Sequence, residues 1–102
     1  MLFAFSVSPT TSPSADSAVT EAVARAVKIV RESGLPHETT SMFTTIEGEW
    51  DEVMPVIKAA CDAVAETSPR VSLVLKADLR SGRADEMHAK LERLDSAIAD
   101  LD

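Results

Sequence analysis

The stretch TTIEGEWDEV, residues 44–53, holds two threonine hydroxyls, a carboxylate at Glu47 and the only indole of the chain, Trp50. Hydroxyls can both donate and accept hydrogen bonds, a carboxylate suits a cation, and an indole offers a flat apolar face. None of these groups is an activated nucleophile. The single cysteine, Cys61, and the two histidines, His37 and His88, are widely separated, so neither a Cys-His pair nor a metal-ligand spacing can be assembled. Three glycines, Gly34, Gly48 and Gly82, make no phosphate-binding pattern. The corner is a plausible place for a small ligand, and the residues present assemble no set of nucleophile, base and orienter. The same residues also fit a plain strand running into a capped helix, and most such corners carry no ligand.

The elements around this stretch follow from periodicity. Thr44, Thr45 and Ile46 are β-branched and favour an extended backbone, while Glu49, Asp51 and Glu52 suit the positive end of a helix. Gly48 stands between them, where a positive φ or a close backbone approach is expected. Trp50, Val53, Met54, Ile57, Ala60, Cys61 and Val64 form the apolar stripe of that helix, in which Pro55 predicts a kink or a non-α first turn.

Upstream, Leu2 to Ser8 alternates: Phe3, Phe5 and Val7 face a core, and Ala4, Ser6 and Ser8 face the other way. Ser12 and Pro13 open a helix that runs to about Ser33 through Val19, Val23, Ala26, Val27 and Val30, with Gly34 as terminator. His37 to Met42 reads as a polar edge strand, and Arg70 to Asp78 as the last strand. From Ala84, the residues Met87, Leu91, Leu94, Ile98 and Leu101 recur at heptad-like spacing.

The order strand, helix, strand, strand, helix, strand fits an α+β ferredoxin-like βαββαβ sandwich. Its antiparallel sheet has spatial order 4-1-3-2, with an extra C-terminal helix. Residues 1–102 are read as one domain, with a core at 2–80 and the added helix at 84–101. A net charge of −7 argues against nucleic acid and anionic membrane surfaces as partners. The opening MLFAFSVSP lacks a basic signal-peptide region, and no apolar run approaches the roughly 18 residues of a membrane span. A cytoplasmic location is expected. The open sheet face, rich in small residues, and the C-terminal stripe both call for a cover, so a homotetramer or homodimer is expected.

The segments FSVSPTT, AVKIVRESGLP and TTIEGEWDEVMPVIKAA, with the strand ending in Lys76 and Asp78, together resemble the small thiamine-binding proteins. The resemblance spans Phe3 to roughly Arg80. It implies non-catalytic binding of thiamine or its hydroxymethylpyrimidine portion, as a cytoplasmic carrier or buffer, in an oligomer built by pairing sheets. The alternative is an oligomeric interaction module with no small ligand. Carried over by position, Ser6 and Ser8 match the hydroxylic first strand, and Thr44, Thr45, Glu47, Gly48 and Trp50 match the central signature. Glu47 is expected on the open sheet face, available to a cationic ligand.

Overall fold

A computed structural model describes residues 1–10, 16–82 and 85–101. The elements are β1 (Leu2–Pro9), α1 (Asp16–Glu32), β2 (His37–Thr39), β3 (Thr44–Glu47), α2 (Trp50–Ala65), β4 (Val71–Asp78) and α3 (Glu86–Ala99). They form an antiparallel sheet in the order β2-β3-β1-β4, which is the expected ferredoxin-like arrangement. The start of α1 around Ser12 and Pro13, and Ala84 at the head of the C-terminal stripe, lie outside the described residues.

Phe3, Phe5 and Val7 alternate into the core and pair across β1 and β4 with Ala77, Leu75 and Leu73, so those six share the helix-covered face. Against them pack Ala22, Ala26 and Val30 of α1 and Val53, Ile57, Ala60 and Val64 of α2, all but fully buried. The buried line of α1 runs through Ala22, Ala26 and Val30 rather than through Val23 and Val27. Small side chains there let α1 and α2 approach closely, while Val23 and Val27 are left partly exposed on the flank.

The corner after β3 is tight. Gly48 does not take a positive φ; it answers the second expectation, because a Cβ there would sit 2.9 Å from Val53 Cγ2. Glu49 caps α2 in a reciprocal box: its backbone N–H donates to Glu52 Oε1 at 3.0 Å, and its own carboxylate accepts from the Glu52 N–H. With the helix end satisfied in this way, α2 is α-helical from Trp50 onward and runs unbroken through Pro55. Proline withholds the donor that Asp51 would otherwise receive, and both residues are exposed, so water can take its place.

β2, His37–Thr39, is shorter than the edge strand expected over His37–Met42. After Thr39 the chain turns, with the Thr40 N–H donating to the Phe43 carbonyl at 2.9 Å and the Thr40 hydroxyl to the same oxygen at 3.1 Å. A side-chain hydroxyl that closes a turn competes with strand pairing, and here it wins.

Candidate functional site

β1 pairs with β4 along its whole length, from Leu2 opposite Asp78 to Pro9 opposite Val71. With β3 it pairs only from Leu2 to Phe5, because β3 begins at Thr44. Among the described residues, no strand takes over beyond that point. The β3 side of β1 is therefore open along Ser6, Val7 and Ser8, and backbone groups in an open edge seek partners.

A cleft of about 210 Å³ lies at this edge, between β1, α1 and the β2–β3 turn. Val23, Ala26 and Val27 make its apolar wall, Phe43 and Met42 stand at the turn, and Thr39, Thr40, Ser41 and Thr44 supply hydroxyls, while Ser6 and Ser8 border it along the open edge of β1 with side chains that alternate toward the other sheet face. Thr44 is buried, and its Oγ1 lies 3.3 Å from Thr39 Oγ1. No acidic or basic side chain lines the cleft. Its chemistry suits a flat, uncharged ring with hydrogen-bonding edges. At this size it encloses a single ring system, since pockets for whole drug-sized ligands run from roughly 300 to 1,000 Å³.

The seven residues singled out in the sequence are divided by the fold. Ser6, Ser8 and Thr44 meet in the cleft. Thr45 lies on the open sheet face beside Ala4 and Glu38. Glu47 and Gly48 flank a second, acidic depression with Glu49, Glu52 and Asp85. Trp50, the first residue of α2, is about half exposed and stands edge-on to Phe3, with ring centroids 6.0 Å apart. Thr39, Thr40, Ser41, Val23 and Val27 were not singled out. For Thr39, Thr40 and Ser41 the only sequence signal is the threonine-rich run after His37, while Val23 and Val27 show only as members of the apolar stripe of α1.

Glu47 does point to the open face, as expected, but its carboxylate is engaged. Oε2 accepts from the Glu86 N–H at 2.6 Å and Oε1 from the Met87 N–H at 3.2 Å, and the residue is buried. The acid thus anchors the N-terminus of α3, where free N–H groups and the helix dipole favour a negative charge. Glu47→Gln is expected to lower stability by about 1–2 kcal/mol, since an amide brings a donor toward the Met87 N–H and removes the charge. Thermal melting checks this; an unchanged Tm would mean that α3 does not depend on the contact.

The Asp85 carboxylate 3.0 Å from His88 Nδ1 raises the imidazole pKa, with smaller help from Glu38 and Glu47. The Lys90 ammonium, 2.6 Å from Asp78, holds that carboxyl below its usual range. Burial pushes the Cys61 thiol up, which keeps it protonated and fits its half-buried place on α2. Among the described residues, no group of three or more His, Cys, Asp or Glu could hold a metal ion, and no helix is long and apolar enough to cross a membrane.

A ferredoxin-like α+β sandwich with a small hydroxyl-lined cleft defines the class. Within it the chain belongs to the thiamine-binding protein family, whose model matches residues 3–95. It is 48% identical over 92 residues to a UPF0045 protein of Mycobacterium bovis, covering 89% of this chain and 87% of the relative. Among solved structures it is similar to a hypothetical protein of Methanocaldococcus jannaschii, at TM-score 0.80 and 26% identity over 92% of this chain and 94% of the other. A putative thiamine biosynthesis/salvage protein of Thermotoga maritima matches at TM-score 0.73 and 25% identity, covering 90% and 97% of the two chains.

Proposed function

We propose that this protein binds thiamine or its hydroxymethylpyrimidine portion without catalysis, as a cytoplasmic carrier or buffer, and that the pyrimidine ring occupies the cleft beside β1. The observation that carries the reading is the open edge at Ser6–Ser8, walled by hydroxyls and aliphatic side chains. An aminopyrimidine presents donors and acceptors along its rim and apolar faces above and below, which this lining complements. The thiazolium finds no counter-charge inside and would project toward solvent or a neighbouring subunit. Membership of the thiamine-binding family and the likeness to the Thermotoga maritima protein support the same ligand class. Self-association, as a homodimer or homotetramer, belongs to the reading as well: Leu91, Leu94, Ile98 and Leu101 are all more than half exposed.

Titration calorimetry tests the ligand. The cleft predicts heat with hydroxymethylpyrimidine at micromolar to millimolar concentration, and thiamine within about tenfold of it, since the uncharged ring carries most of the contact. No heat from either at millimolar ligand would leave the alternative of an interaction module.

A further inference from the structure

We propose that the main chain of Val7 selects the ligand: its N–H and C=O hold the ring nitrogen and the adjacent amine of the aminopyrimidine. The inference rests on the ligand reading above and adds which edge of the ring is read, and by which groups.

Four backbone hydrogen bonds fix the direction in which each residue of β1 faces. In an antiparallel sheet the N–H and C=O of one residue point to the same neighbouring strand, and successive residues alternate. The Glu47 N–H donates to the Pro36 carbonyl at 2.9 Å and the Thr40 N–H to the Phe43 carbonyl at 2.9 Å. Phe43, Thr45 and Glu47 therefore turn toward β2, while Thr44 and Ile46 turn toward their β1 partners, Phe5 and Phe3. The Gly48 N–H donates to the Met1 carbonyl at 3.1 Å, in the same phase. On the other side of β1, the Thr10 N–H donates to the Arg70 carbonyl at 3.0 Å, so Ser8, Ser6 and Ala4 turn toward β4.

Val7 continues the series of Met1, Phe3 and Phe5. Its N–H and C=O point to where β3 would run, but β3 begins at Thr44, and its register would place Met42 opposite Val7. Met42 lies instead in the turn that Thr40 closes and is largely exposed. Among the described residues, no group bonds to the Val7 main chain from this side. Val7 is buried and lines the cleft. Ser6 and Ser8 direct their main-chain groups to Val74 and Ser72 of β4, and Pro9 has no N–H. Within the open stretch, Val7 is thus the one residue that offers the cleft both a donor and an acceptor.

A single donor and acceptor suit the edge of a ring, whereas an added peptide strand needs a row of them. An aminopyrimidine carries an amine donor beside a ring-nitrogen acceptor. That pair complements the Val7 N–H and C=O and takes the place of the groups that one more residue of β3 would have supplied. Val23 and Val27 of α1 then cover the ring, and the Thr39 and Thr44 hydroxyls stand beside it. Main-chain groups are obligatory hydrogen-bonding groups, so a ring that leaves them unsatisfied is rejected more strongly than one that merely loses an apolar contact.

The test removes one ring atom at a time. Calorimetry is carried out with hydroxymethylpyrimidine, with its analogue lacking the amine, and with its analogue in which carbon replaces the ring nitrogen beside the amine. Each analogue is expected to bind at least about tenfold more weakly than the parent ligand. Amide hydrogen exchange read by NMR supplies the protein side: on saturation with hydroxymethylpyrimidine, the Val7 N–H is expected to slow at least about tenfold more than the Ser6 and Ser8 N–H groups, which β4 already protects. Binding of hydroxymethylpyrimidine with either analogue within about threefold of it, or with the Val7 N–H exchanging as in the free chain, would overturn recognition by Val7 and leave the ligand reading standing. No heat from any of the three at millimolar concentration would overturn both.

Discussion

Phe3→Ala is expected to remove about 3–5 kcal/mol of stability, a large part of the 5–15 kcal/mol that holds a domain of this kind together. Phe3 is fully buried, lies between Ile46 of β3 and Ala77 of β4, and supports the ring of Trp50. Its position between two paired strands leaves the surroundings little freedom to collapse into the void. Urea denaturation reads the effect directly. A loss below about 1 kcal/mol would mean that the core can refill around β1, contrary to the packing described.

Val23→Trp is expected to abolish ligand binding and spare the fold. Val23 lines the cleft from α1 and is only partly buried, so an indole there has room to grow into the cleft at little cost to the core. A loss of at least about 100-fold in affinity for hydroxymethylpyrimidine, or about 2.7 kcal/mol, is predicted, with Tm shifted by a few degrees at most. Trp50→Ala supplies the contrast. Trp50 lies outside the cleft lining, so its loss is expected to lower stability through Phe3 and to leave affinity unchanged. The reverse pattern would move the site to the start of α2.

Much of the fold was legible because its signals are local. The β-branched run Thr44–Ile46, the alternation of Phe3, Phe5 and Val7, and the carboxylates after Gly48 each specify their own element, and the order of elements then admits few topologies. The unpartnered stripe of α3 was visible for the same reason. The cleft was harder to read, since it exists because β3 starts opposite Phe5, and no single strand discloses where its partner stops. Glu47 shows the same limit more sharply. Its placement on the open face followed from alternation, but its partners are backbone N–H groups 39 and 40 residues away, which residue types do not announce. Ala22 and Ala26, rather than Val23 and Val27, join Val30 in the buried line of α1 because helix-to-helix distance, a tertiary quantity, decides there.

The central claim is that a pyrimidine ring binds along the open edge of β1. Backbone amide NMR during titration with hydroxymethylpyrimidine tests it most directly, because each amide reports its own surroundings. The account predicts that the largest shifts fall on Ser6, Val7, Ser8, Thr40 and Thr44, with Glu47, Gly48 and Trp50 little affected. Shifts concentrated on Glu47, Gly48 and Trp50, with the β1 edge silent, would contradict it.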